Sequence, residues 1–229
     1  MARLTWHGHS CFSLATDEGA RILFDPWLDG NPVADIEAAD IQKLDYILVS
    51  HGHSDHFDDA IPLALRTGAM LISSFEIVSF ALTRGVTSGH GMSIGGGYRF
   101  PFGYAKMTPA LHGPNVAGDD SGTFSCMPAG WWIELNSGTR LYHAGDTALI
   151  MDMQLLQGRV DVAILPIGDN FTMGPADAAR AVEFIRPRTV IPMHYNTFDV
   201  IRQDPSDFAR RVGSLAEVVA LEPGGNFDF

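Results

Sequence analysis

Residues 45–49, Asp45-Tyr46-Ile47-Leu48-Val49, form a short apolar run that stops at Ser50 and is followed at once by His51-Gly52-His53-Ser54-Asp55-His56. A continuous run of this length reads as a strand covered on both faces. Such a strand requires a sheet around it and further layers outside that sheet. Four side chains able to bind a metal hang on its end. Buried strands rarely end in histidine without cause, because an unpaired imidazole in a dry site is costly. In an extended segment residues two apart point to the same side, so His51 and His53 can grip one ion. Asp55 and His56, past the turn, can reach a second ion nearby.

The same pattern recurs along the chain. His112 follows the strand-like region of Met107, Asp146 follows Leu141-Tyr142-His143-Ala144-Gly145, Asp169 follows residues 163–168, and His194 follows Val190-Ile191-Pro192-Met193. Loops at one end of a sheet converge, so these side chains can meet in space. Imidazole and carboxylate together suit Zn2+, with Mn2+, Ni2+ and Fe2+ also feasible. Each residue has a plainer alternative: a solvated loop for His51–His56 and for His112, a helix N-cap near Thr147 for Asp146, and a satisfied core histidine for His194. His7 and His9 form a second His-x-His with no Asp-His after it; His9 is expected to line the site. His90 and His143 read as structural, Asp169 as lining the pocket without ligating, and Trp131-Trp132 as packing.

Around these landmarks the chain reads as two similar series. Residues 3–6, 10–15 and 21–24 are antiparallel strands, and 45–49 and 69–72 are further strands, with helices over 59–66 and 75–83. In the second half, 98–108, 130–135, 139–143, 160–166, 189–193 and 217–221 read as strands. A helix starts at Gly174-Pro175-Ala176-Asp177, with proline at its first position and an acid in its first turn. A last helix covers 205–215, and a Gly-rich tail follows. No linker, charge block or low-complexity stretch separates the halves. The expected fold is α+β, two β-sheets packed together with helices on both outer faces, as one domain spanning residues 1–229.

Composition narrows the partners. The formal net charge is −12, and the 13 Arg and 2 Lys are scattered, Arg210-Arg211 being the only adjacent pair. Polyanion binding needs a basic face, so no nucleic-acid partner is expected. No apolar run reaches the roughly 18–20 residues of a membrane span, and the start Met1-Ala2-Arg3-Leu4-Thr5-Trp6-His7 lacks the pattern of a secretory signal. A cytoplasmic protein acting on a small molecule is the expectation, with homo-oligomerisation left open. Cys11 and Cys126 make no disulfide framework and read as buried small hydrophobes.

His51-Gly52-His53-Ser54-Asp55-His56 resembles the signature of the metallo-β-lactamase superfamily, and the resemblance extends over nearly the whole chain. Asp25, ending Arg21-Ile22-Leu23-Phe24-Asp25, resembles the early aspartate that braces the histidine loop. Asp146 resembles the carboxylate that bridges both metals, and His112 and His194 resemble the later histidines. The resemblance implies a four-layer αββα sandwich and two divalent metal ions. It assigns His51, His53 and His112 to one ion, Asp55, His56 and His194 to the other, and Asp146 between them. Trp6-His7-Gly8-His9-Ser10 and Gly168-Asp169-Asn170-Phe171-Thr172-Met173-Gly174-Pro175 resemble the bacterial UPF0173 branch of metal-dependent hydrolases. That branch is similar to L-ascorbate-6-phosphate lactonases and, more distantly, to phosphodiesterases of N-acyl phosphatidylethanolamine. His7 stands where members commonly carry an aliphatic residue.

The expected activity is hydrolysis of an ester-like bond (lactone, carboxylic ester or phosphodiester). Two ions sharing a water lower its pKa toward neutrality, and the hydroxide so supplied attacks the electrophile. Asp55, Asp146 and His9 are the expected catalytic residues: Asp146 orients the nucleophile, Asp55 holds the second ion, and His9 (or Tyr195, or a water) protonates the leaving group. A nuclease on the same core and a non-hydrolytic metal-binding or redox module are the rivals; the acidic balance and the lack of a flavin domain count against them.

Overall fold

A computed structural model describes residues 1–229. Two seven-stranded mixed sheets face each other. The first runs, in spatial order, β14 (Asn226–Asp228), β1 (Arg3–Trp6), β2 (Phe12–Ala15), β3 (Arg21–Phe24), β4 (Tyr46–Leu48), β5 (Met70–Ser74) and β6 (Gly89–Met92). The second runs β13 (Glu217–Val218), β12 (Thr189–Met193), β11 (Val162–Pro166), β10 (Arg140–His143), β9 (Ala129–Leu135), β8 (Gly103–Pro109) and β7 (Gly97–Phe100). Each sheet is antiparallel at one side and parallel at the other, the change falling at β3 in the first and at β10 in the second. Helices α1 (Ser54–Phe57), α2 (Ala60–Thr67) and α3 (Phe75–Thr83) follow strands of the first sheet, and α4 (Pro175–Ile185) and α5 (Pro205–Val212) follow strands of the second. The architecture is the expected α+β sandwich.

Alternation of side chains explains the layering. Successive strand residues point to opposite faces. Phe24, Leu48 and Ile72 enter the core between the sheets with Met107, Trp131 and Ile133, whereas their neighbours Leu23, Ile47 and Leu71 pack with Leu63, Ile77 and Ala81 of the outer helices. Both faces of the central parallel strands are therefore apolar, which is why the run at residues 45–49 shows no period of two. No helix is long and apolar enough to cross a membrane.

Four expectations change. The strand expected over 98–108 is a hairpin, β7 and β8, with Phe100 paired to Gly103. Pro101 has no amide hydrogen for a ladder, so the chain turns there. Gly103 holds φ +144, and a Cβ on it would lie 2.2 Å from the Glu134 carbonyl oxygen. Gly103→Ala is therefore expected to lower the unfolding free energy by about 3 kcal/mol from strain and overpacking; urea titration reads this, and a loss under about 0.5 kcal/mol would show the turn relaxes freely. Strands β6 and β14 were not expected, being Gly-rich or terminal and held by partners distant in sequence, β5 and β1. The strand expected over 217–221 is only Glu217–Val218, and the helix expected over 205–215 ends at Val212, where Gly213 with φ +56 halts it.

Candidate metal centre

The site lies where loops from both sheets meet. After β4 the chain passes through Ser50 and His51 to His53, which is extended and opens α1, and α1 carries Asp55 and His56. Gly52 between the histidines is a close-approach glycine: a Cβ there would lie 2.8 Å from the Asn115 carbonyl oxygen, and its own carbonyl accepts from Ala117 N at 2.6 Å. The loop holding His112 thus closes directly on the first histidine pair. Asp146 follows β10 and His194 follows β12. No α-helix begins at Thr147, so the N-cap alternative for Asp146 falls; the next helical turn is the 3-10 segment Met151–Leu156.

All seven side chains of the expected ligand set come together. His51 Nε2 and His112 Nε2 each lie 3.1 Å from His53 Nδ1. Asp146 Oδ2 lies 2.9 Å from His194 Nε2, 3.3 Å from His56 Nε2 and 3.5 Å from His112 Nε2. His51, His53 and His112 form one group with ligand atoms mutually within 4.8 Å; His51, His56 and Asp146 form a second, and His9, Asp55, His56 and His194 a third.

Do these residues fit cations? Ligand atoms about 2.0–2.1 Å from a tetrahedral ion sit about 3.3–3.4 Å apart, close to the spacings above. Three ring nitrogens facing one another share too few protons to satisfy each other as hydrogen bonds. Asp146 Oδ1 and His194 Nδ1 are buried with no hydrogen-bond partner, and His56 Nε2 and His194 Nε2, though close to Asp146 Oδ2, make no well-directed hydrogen bond to it, an arrangement costly for a protein unless something else satisfies them. Behind them, Asp25 accepts from Ser50 N at 2.7 Å, Ser50 Oγ at 2.6 Å and His56 Nδ1 at 2.9 Å. Ser50 Oγ in turn lies 3.0 Å from His51 Nδ1. Both imidazoles are held at Nδ1, and both turn Nε2 toward the cluster, as a carboxylate–histidine–metal relay requires.

The electrostatics agree. Burial opposes charge on His56, yet Asp146 and then Asp25 outweigh it and raise its pKa well above the usual histidine range. Burial likewise opposes ionisation of Asp146, but His194 and His56 hold it well below the usual carboxylate range. The centre thus favours positive charge beside an ionised carboxylate. Burial, first of several causes, lowers His51, His53 and His112, leaving neutral imidazoles.

His9 sits within this cluster. Its Nε2 lies 3.1 Å from Asp55 Oδ2 and its Nδ1 2.8 Å from Thr197 Oγ1. An ionised carboxylate only accepts, so Nε2–H donates to Asp55 and Nδ1 accepts from the Thr197 hydroxyl. Burial, then His194, pushes the His9 pKa down to about 4. The His9 carbonyl accepts from His194 N at 2.9 Å and Trp6 Nε1 at 3.0 Å, tying the β1–β2 loop to the end of β12. His9, Asp25 and His194 all hold positive φ, at 54, 42 and 55; such strain is common where geometry serves a site.

The remaining candidates lie elsewhere. His7 bonds Asp35 and Ser13, each at 2.8 Å, and joins none of the three groups. His143 is buried, donates to the Ser10 carbonyl and stacks on Phe24; His90 packs on Tyr98. Tyr195 stacks on Trp6 within the core, its pKa pushed up to about 12 by burial, so it is poorly suited to give up a proton. Asp169 joins no ligand group. Trp131 and Trp132 are packing residues, and both cysteines are buried. Ser50 and Thr197 escaped sequence reasoning; Ser50 carried a faint signal as the polar residue between an apolar strand and a histidine, and Thr197 carried none.

A two-sheet sandwich with histidines and aspartates gathered at one end defines a class. Residues 3–194 match the family model described as a beta-lactamase superfamily domain, and the chain belongs to that superfamily. More narrowly, it is 47% identical to a UPF0173 metal-dependent hydrolase of Heliobacterium modesticaldum, over 98% of this chain and 96% of that protein. A UPF0173 metal-dependent hydrolase of Enterococcus faecalis is 46% identical over 91% of this chain and 93% of its own. Igni18, a metallo hydrolase of the archaeon Ignicoccus hospitalis, superposes with a TM-score of 0.88 at 37% identity, covering 100% of this chain and 99% of that one. The protein is a metal-dependent hydrolase.

Proposed function

We propose that this hydrolase cleaves an ester-like bond of a small molecule with the help of two divalent cations, one between His51, His53 and His112 and the other among Asp55, His56 and His194. Asp146 stands between the two groups. The observation that carries the reading is the position of Asp146 Oδ2, within 3.5 Å of imidazole nitrogens from both sets. When bound, such ions acidify a shared water and draw electron density from the oxygen of the electrophile. The chain's own residues supply the rest. Asp25 and Ser50 fix the faces of His56 and His51, and the ionised Asp146 keeps both groups in register. His9, expected from sequence to protonate the leaving group, is a neutral imidazole that holds Asp55 through its Nε2–H; its lowered pKa suits that positioning role better than acid catalysis at neutral pH. Asp55 keeps one carboxylate oxygen for the second ion.

Metal analysis joined to a bond-class screen tests the proposal. About two equivalents of Zn2+, Mn2+, Ni2+ or Fe2+ per chain are expected, with hydrolysis of one class among carboxylic esters, lactones, thioesters and phosphodiesters. EDTA should abolish turnover and the cation restore it. Turnover that survives complete metal removal would refute the assignment.

A further inference from the structure

The rim of the centre exposes several large apolar side chains and carries no cation. Leu111 precedes His112 and is 65% exposed, Phe171 lies in the loop after β11 and is 53% exposed, and Phe198 follows His194 and is 39% exposed. Soluble chains scatter single exposed apolar residues, but grouping them round one opening is informative. These three are grouped by hydrogen bonds and packing. Leu111 N donates to Thr147 Oγ1 at 3.0 Å and Met173 N to the Thr147 carbonyl at 3.0 Å, so both Leu111 and the Phe171 loop are tied to the residue after Asp146. Phe198 stands against the opposite group: its ring centroid is 5.7 Å from His9 and 5.8 Å from Trp27, which itself lies 5.2 Å from His9. Among the side chains of the centre, Asp55 and His112 reach solvent, 26% and 13% exposed, and His53 is half-buried beside them.

Charge sharpens the point. The segments 6–11, 25–31, 50–59, 110–117, 144–151, 167–174 and 194–201, which build the centre and its rim, contain no lysine and no arginine. They do contain Asp29, Asp58, Asp59, Asp169 and Asp199 besides the aspartates already assigned. Arg202, just beyond, is exposed and paired to Asp199. Proteins that select phosphorylated molecules supply arginine or lysine forks to the phosphate oxygens; here a phosphate group away from the reacting bond would meet apolar side chains and aspartates.

We propose that the substrate is a neutral carbonyl compound, an ester, lactone or thioester with a hydrocarbon-rich acyl part resting on Phe198, Trp27 and Leu111, and not a phosphorylated molecule. The inference rests on the hydrolytic reading of the centre and narrows it. In the reaction the oxygen of water bonds to the carbonyl carbon and the bond to the leaving oxygen or sulfur breaks with its electron pair. The leaving atom takes up the proton that the water loses, giving acid plus alcohol or thiol.

Two measurements on the full chain test this. With the metal-loaded enzyme, kcat/KM for p-nitrophenyl octanoate is expected to exceed that for the acetate by about tenfold or more, given roughly fourfold per fully buried methylene. Values for p-nitrophenyl phosphate and bis(p-nitrophenyl) phosphate should lie below both. The octanoate-to-acetate ratio should fall about tenfold in Phe198→Ser and in Leu111→Ser, two separate exposed positions, so that one misfolded variant does not decide the result. With metal-free protein, 2-nonanone should bind at least about tenfold more tightly than 2-butanone, and phenyl phosphate should not bind. A flat chain-length profile, a ratio unchanged in both variants, or a phosphoester that outpaces the octanoate overturns the proposal. A flat profile with a concentration-dependent rise in mass would identify the rim as a contact between copies instead. If no ester, thioester or phosphoester is cleaved, the hydrolytic reading fails separately, and ketone binding still decides the character of the rim.

Discussion

Asp146→Asn should lower kcat/KM by about a thousandfold or more, equivalent to about 4 kcal/mol in the barrier, and should cost the protein at least one bound cation per chain. The substitution preserves shape and removes charge. In the native centre the carboxylate is buried and lies 2.9 Å from His194 and 3.3 Å from His56, and no other anionic side chain joins the group it forms with His51 and His56. A neutral amide would leave the proposed cations without the anion between them, and its NH2 group would face imidazole nitrogens needed as electron-pair donors. Steady-state kinetics with elemental analysis of the same sample checks both statements. Activity within tenfold of the parent, with cations retained, would exclude Asp146 from the role assigned to it.

Asp25→Ala is expected to act through stability as much as through chemistry. The carboxylate is fully buried and accepts three hydrogen bonds, from two groups of Ser50 and from His56. Removing it leaves those donors without partners, at about 1–3 kcal/mol for each group stranded in the interior, and places an alanine at φ 42, where aspartate and asparagine are tolerated better. A loss of about 3–5 kcal/mol in unfolding free energy is expected, together with a fall of about 10–100-fold in cation affinity, because His56 and His51 lose their orientation. Asp25→Asn separates the causes: it keeps the backbone tolerance and one acceptor, so it should recover part of the stability while cation affinity stays low. Denaturant titration and a competitive chelator assay read the two effects. Equal cation affinity in both variants and the parent would show that Asp25 serves packing alone.

The histidine loop was legible because its chemistry is local. His51, His53, Asp55 and His56 fall within one six-residue stretch just after a strand, and no fold knowledge is needed to see that they can converge. His112, Asp146 and His194 were legible only as a series, each after an apolar strand, and Asp25 only through the family resemblance. What stayed hidden depends on contacts between distant parts of the chain. Thr197 matters because it meets His9, 188 residues away, and nothing near Thr197 announces it. Strand β14 exists because residues 226–228 reach β1 at the other end of the chain; its own sequence reads as a turn-rich tail. The break at Pro101 was visible as a residue, yet the flanking β-formers Tyr98, Phe100 and Tyr104 suggested continuity. His9 was expected from sequence to line the site, and its ring lies 3.1 Å from Asp55; its proton state follows from burial, which only three dimensions supply.

The centre draws its side chains from both halves of the sandwich. His51, His53, Asp55 and His56 hang from the first sheet, and His112, Asp146 and His194 from the second. A cation held by both therefore acts as a rivet across a seam that is otherwise closed mainly by apolar packing. Loading will tighten the whole molecule, by about 2.7 kcal/mol when free metal stands a hundredfold above its dissociation constant, and chelation will loosen the two leaves against one another before either sheet frays. Heat resistance in this protein should thus track metal supply, so that a shortage would cost the molecule its durability along with its turnover.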